Sequence, residues 1–272
     1  MAQLLSSGEL AEHEFERPPF LVEPLIPYGG IFMIHGPGDV GKTQFTLGLA
    51  GHINRGTPLF GKWDTKSGPV VFIQADMTGM IQQLRVRAVI NDMDIEDIYW
   101  AVGDEGGTMD VDVTRMLIRK KGLVEQIREI DPAMVVWDTL QKIHRLDENS
   151  NQTPRAVLGA IREMFPHTTH QLIHHNRGEA KKDDEARIEG EEFRGHTAWR
   201  DDLDAIFELR PRGSAPVRVS FHVHKARTAP EAQREDVLLE MDPVTGLFAP
   251  VEPSIEGRVT PVEQERIIYP GG

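Results

Sequence analysis

Eight consecutive residues, Gly36-Pro37-Gly38-Asp39-Val40-Gly41-Lys42-Thr43, have the types and spacing of a phosphate cradle. Glycines let the backbone curl so that successive N–H groups face one anion, and a helix beginning at the cradle adds its positive dipole end. Lys42 is then placed for the β- and γ-phosphates, the Thr43 hydroxyl for Mg²⁺, and Gln44 opens the helix that follows. The chemistry these residues can do is to hold a nucleoside triphosphate, with ATP and Mg²⁺ the expected ligands.

Such a cradle needs a carboxylate for the Mg²⁺ shell at the end of a neighbouring strand, and Val135-Val136-Trp137-Asp138 supplies Asp138. Hydrolysis also needs a group to orient water. Asp76, in Gln74-Ala75-Asp76-Met77, is placed for that role, although an aspartate just past a strand also serves as a helix cap. His174-His175-Asn176 ends a further strand, where a side chain such as that of His175 could sense the γ-phosphate. A zinc site built on the adjacent histidines is rejected, because neighbouring side chains on a strand point to opposite faces.

These groups require a frame. Ile31–His35 reads as the strand entering the cradle, and Gln44–Ala50 as the helix leaving it. Apolar strands at 69–74, 98–102, 133–138 and 171–174 alternate with helical spacing at 80–86, 123–130 and 154–165. That alternation predicts an α/β fold, a mostly parallel twisted sheet with helices on both faces. Three strand-like runs then follow a short helix near Trp199, at 204–209, 216–224 and 237–241, with no helices between them. Gly213-Ser214 and the polar run 227–235 read as their turns, so antiparallel strands are expected at one edge. The expected divisions are an arm over 1–24, flexible or docked on a neighbouring subunit, an ATPase domain over 25–250 and a tail over 251–272.

With 272 residues and no cysteine, the chain cannot build a disulfide scaffold, a Cys-ligated zinc site or an iron–sulfur cluster. No apolar run approaches the about 18 residues of a membrane span, and the first residues lack a signal peptide's pattern. A cytoplasmic protein without membrane contact is expected, in a host's cytoplasm if it is phage- or plasmid-encoded. The formal net charge of −13 argues against broad adhesion to nucleic acid but permits a local basic strip.

In this order the motifs resemble the RecA-like ATPases, most closely the plasmid RepA-type hexameric replicative helicases and their phage relatives. The resemblance runs from about Leu25 to Met241. It includes Leu25–Gly30 before the cradle, Asp138-Thr139-Leu140, Asp147–Ser150, His174–Arg177, Phe193–Ala198 and Lys225-Ala226-Arg227. It implies a RecA-like P-loop core, assembly into a homo-oligomeric ring, a hexamer, or a filament, and action on single-stranded DNA. It further implies that Lys225 and Arg227 reach the next subunit's ATP, with Arg227 the arginine finger, and that a channel loop at 176–194 uses Arg177, Lys181, Lys182, Arg187 and Arg194. Two departures stand out. Asp76 replaces the family's usual glutamate, and the acidic residues of the loop outnumber its cations. The function implied is an ATP-driven helicase. The alternatives are a phage-type recombination protein that anneals single strands with slow hydrolysis, and a regulatory ATPase without nucleic acid.

Overall fold

The computed structural model describes residues 4–13, 19–89, 96–147, 150–175, 197–214, 217–233 and 236–251. A nine-stranded sheet dominates them. Its parallel part comprises β3 (Ile31–Gly36), β4 (Val70–Gln74), β5 (Ile98–Ala101), β6 (Met134–Asp138) and β7 (Thr169–His175). To these are added β8 (Ala205–Ser214), β9 (Val217–Ala226), β10 (Asp236–Met241) and β11 (Phe248–Pro250). The order is β11-β10-β9-β8-β3-β7-β6-β4-β5. β8 runs parallel to β3, while β9, β10 and β11 each pair antiparallel with the strand before.

β3, β4 and β6 are buried at every position because helices cover both faces of the sheet. On one face lies α2 (Lys42–Arg55), which contributes Phe45, Leu47, Leu49, Ala50 and Ile53 beside Phe32, Ile34 and Val136. The opposite face carries α5 (Lys121–Ile130) and α6 (Thr153–Met164), whose Val124, Ile127, Val157 and Ile161 pack on Met33, Val135 and Trp137. Each fully buried aliphatic or aromatic side chain contributes roughly 1.5–3 kcal/mol. These two layers therefore hold the strand ends in place. The short α7 (Thr197–Asp202) follows the undescribed segment 176–196, and α3 (Gly79–Val89) follows β4.

Several features differ from the expectation. Gly213 and Ser214 belong to β8 rather than to a turn, with a register irregularity between Pro211 and Ser214 that absorbs the glycine. β11 is too short to read from alternation. β1 (Phe20–Val22) and β2 (Ile26–Pro27) form a small separate antiparallel sheet whose Leu21, Val22 and Leu25 are wholly buried in the core. The N-terminal helix α1 (Ser7–Glu12) is closed by a Ser6–Glu9 capping box yet buries no residue, which accords with its few apolar positions.

Candidate nucleotide site

The sheet gathers the predicted site residues at its carboxyl ends, the rim where open α/β sheets bind ligands. β3 and β7 align Gly36 with His175, and β4 and β6 align Gln74 with Asp138. The carboxylate-bearing β6 is not the immediate neighbour of β3 that the sequence suggests. β7 intervenes. Thr43 closes that gap, its hydroxyl donating to Asp138 Oδ2 at 2.9 Å.

The loop fits a polyphosphate by its backbone. Gly36 has φ +156°, and a Cβ there would stand 2.6 Å from the carbonyl oxygen of Leu209. Gly41, at φ +91°, would drive a Cβ into Met241 and Phe248 at 2.8–2.9 Å. Asp39 also takes positive φ. α2 starts at Gly41 with no side-chain cap, so its first N–H groups remain directed at an anion. Pro37, Gly38 and Val40 complete the loop, Val40 buried and Gly38 with nothing near its missing Cβ. Gln44 points elsewhere. Its amide nitrogen lies 2.9 Å from where a Cβ of Gly246 would be, and its Oε1 is buried without a hydrogen bond among the described residues.

Lys42 is only 4% exposed and donates to the carbonyls of Gly36 (3.0 Å) and Pro37 (2.6 Å). Burial pushes the pKa of its ammonium down to about 8, and the negative charges of Asp138 and Asp39 only partly oppose this. Asp138 is 1% exposed and accepts from Gln74 Nε2 at 2.7 Å as well as from Thr43. Burial raises its carboxyl above the ordinary range and the charge of Asp76 adds to this, against the two hydrogen bonds and Arg85. A divalent cation would reverse that balance, because the hard oxygen donors of Thr43 and Asp138 suit Mg²⁺.

Asp76 is exposed on the same rim. α3 begins at Gly79, which puts Thr78 and not Asp76 at the capping position. His175 is half-buried. Burial lowers its pKa first and the Lys42 charge lowers it further, while Asp76 and Asp39 act in opposition, so the neutral ring is favoured. Sequence reasoning missed two residues here. Gln74 orients Asp138, and Arg85 on α3 bears electrostatically on Asp138 while its Nη1 is buried without a hydrogen bond among the described residues. A cation one helix removed from the cradle carries no local motif that could have announced it.

Lys225 and Arg227 are not brought to this site. Ala226 pairs with Ala205, and Ala205 is level with Phe32, four residues before Gly36. The pair therefore sits about 13 Å back along the strand direction, at the opposite end of the sheet. Lys225 donates to the carbonyls of Arg200 and Leu203, and Arg227 donates to that of Asp201 at 2.7 Å with Asp204 at 3.5 Å. Arg177, Lys181, Lys182, Arg187 and Arg194 lie outside the described residues.

With this geometry in view, a family model described as an AAA domain matches residues 2–181 of the 272. No curated protein matches. Among 581 matching solved chains, the ATPase domain of a helicase aligns with a TM-score of 0.62 at 15% identity, covering 82% of this chain and 85% of that one. So low an identity over so widely shared a fold establishes architecture and leaves the substrate to the site. No described helix is long and apolar enough to cross a membrane. The chain belongs to the AAA-domain family, a P-loop ATPase built on the RecA-like fold.

Proposed function

We propose that this chain is an ATP-driven motor on single-stranded DNA, working as a replicative-type helicase in a homo-oligomeric ring. The observation that carries the reading is the separation of two chemistries across one sheet. The cradle, Thr43 and Asp138 lie at one end, and the Lys225–Arg227 pair lies at the other. A subunit so built cannot bring its own Arg227 to its own phosphates, so head-to-tail neighbours are needed to complete each site. The resemblance of the motifs to RepA-type helicases, and the structural likeness to a helicase's ATPase domain, support the same reading.

In this scheme the loop amides and Lys42 bind the phosphates, while Thr43 and Asp138 hold Mg²⁺, which supplies charge neutralisation between the β- and γ-phosphates. Asp76 orients and polarises the attacking water. His175, beside Gly36 at the root of the 176–194 loop, reports the γ-phosphate to that loop. The partner subunit's arginine finger stabilises charge on the transferring phosphoryl group. The loop cations Arg177, Lys181, Lys182, Arg187 and Arg194 hold the strand. A second reading, single-strand annealing with slow turnover, rests on Asp76, which is one methylene shorter than the glutamate usual at this position. Displacing the attacking water by about 1 Å costs up to about 100-fold in rate.

The deciding experiment is unwinding of a forked duplex beside annealing of complementary strands, each with and without ATP and Mg²⁺. Unwinding that requires both ligands supports the helicase. Annealing that proceeds without ATP, with no unwinding, replaces it by the second reading. Failure of both, with ATPase activity intact, points to a regulatory ATPase.

A further inference from the structure

We propose that His35, Glu208 and His224 form a binding site for a first-row divalent transition cation, Zn²⁺ being the one their chemistry fits best, and that this site ties the P-loop strand to the antiparallel edge of the sheet. The three residues stand on adjacent strands, β3, β8 and β9, with His35 and Glu208 paired in register. One ligand atom from each lies within 4.8 Å of the others, and no other trio of this kind occurs among the described residues. Glu208 Oε2 and His224 Nε2 are 2.6 Å apart, and the imidazoles of His35 and His224 stack at 5.3 Å.

Donor type selects the ion. Two imidazoles and one carboxylate suit Zn²⁺, whereas Mg²⁺ prefers the oxygen donors found at Thr43 and Asp138. Three protein ligands leave a fourth position for water or an exogenous donor. Burial favours the site as well. His35 and Glu208 are almost wholly enclosed, while the His224 side chain, at 24% exposed, gives an ion a way in. Tetrahedral zinc sets its ligand atoms about 3.3 Å apart. Closing from 4.8 Å requires side-chain rotation and leaves the paired strands in place.

The resident competitor is Arg210. Its Nε donates to Glu208 Oε2 at 2.6 Å, and its Nη2 stands 3.4 Å from His224 Nε2. The Arg210 side chain is 31% exposed, so it can turn to water when a divalent ion takes its place. Behind the site, His222 packs edge-on against His224 at 4.7 Å and is itself held by Asp236 at 3.2 Å. An ion held here would bind β3, which enters the phosphate cradle, to β9, whose next residues are Lys225 and Arg227.

The test is titration of the chelator-stripped full chain with Co²⁺, read by its visible ligand-field bands, and with Zn²⁺ in competition, both in excess Mg²⁺. The wild type should take up one Co²⁺ in low-symmetry coordination, displaced by Zn²⁺ and not by Mg²⁺. His224→Ala and Glu208→Gln should abolish those bands. Arg210→Gln should tighten binding by about 10- to 100-fold, the range seen when partners of metal ligands are altered. Circular dichroism checks each fold, and the partly exposed His224→Ala decides should Glu208→Gln not fold. The proposal is overturned if His224→Ala binds as the wild type does, or if neither the wild type nor Arg210→Gln develops the bands.

Discussion

The two halves of the sheet solve different problems. In the parallel half, β3, β4 and β6 are buried along their whole length, and polar chemistry is confined to the last residue or two, at Gln74, Asp138 and His175. In the antiparallel half, polar groups run through the strands themselves. Glu208 with Arg210 and His224, Ser220 and His222 with Asp236, and Arg218 with Glu240 form a ladder from β8 to β10. The parallel half holds a ligand at its rim, and its apolar body keeps that rim rigid. The antiparallel half devotes its interior to charge pairs that couple strands to one another. Activity should therefore fail all at once in the first half and by degrees in the second.

The largest expected effect is in the cradle. Lys42→Met should cut ATP affinity or turnover by at least about 100-fold, as loss of a preorganised cation at a phosphoryl group does. It should not lower stability. Lys42 carries a desolvation cost in the fold, and removing that charge should raise the melting temperature by roughly 2–4 °C per kcal/mol relieved. A wild-type ATPase rate in this variant would remove the distinction between the halves. Because its folded pKa of about 8 lies below the ordinary 10.5, the wild type should also gain stability as pH rises from about 8 toward 10.5, a gain absent from Lys42→Met.

Next comes the pairing of opposite ends. Asp138→Asn and Arg227→Ala should each lose hydrolysis, the first through its own Mg²⁺ site and the second with ATP binding retained. Mixed, they create some interfaces with one sound cradle and one sound finger, and part of the ATPase rate should return. A dead mixture whose subunits demonstrably exchange would mean that the far end of the sheet serves no neighbour. Asp76 sharpens the rim further. Asp76→Asn should abolish hydrolysis while ATP still binds, and Asp76→Glu should keep or raise the rate. Loss of ATP binding in both would place Asp76 among the structural residues.

What the sequence made legible follows the same division. Gly36–Thr43 and Asp138 could be read because each function is written within a few consecutive residues at the end of an apolar run. Their frame could be read because a strand buried on both faces is a continuous apolar word. The ladder could not. His35, Glu208 and His224 are far apart in the chain, and only the strand order brings them together. Arg85 and Gln74 escaped for the same reason, as did the strand between β3 and β6. Nor did alternation mark the end of β8, where Gly213 stays in the strand.

Smaller effects belong to the ladder. Burial alone would raise the Glu208 carboxyl, but the His224 hydrogen bond, the His35 charge and Arg210 outweigh it and hold the group well below the carboxylate range. Its contribution is thus present above the ordinary value of 4.5 and is lost as pH falls below it toward the depressed folded value. Glu208→Gln should flatten that acid limb in a pH series of melting curves. An unchanged limb would assign acid sensitivity to the other half. Smallest of all, Arg218→Ala removes a half-exposed pair with Glu240 at 2.7 Å and should cost no more than about 1 kcal/mol by denaturant titration.

The contact over Gly41 carries a consequence in time. Met241 and Phe248 close against that glycine, and Gly246 and Leu247 lie on Gln44 and Gly48 of α2. The phosphate cradle leaves the ribosome long before these residues, which press it into shape and are among the last of the described fold to be made. A nascent chain therefore carries the complete motif well ahead of a finished cradle. Nucleotide binding becomes a signal that synthesis has passed Phe248, which spares the cell a half-built subunit that could hold ATP without a sheet edge to offer its neighbour.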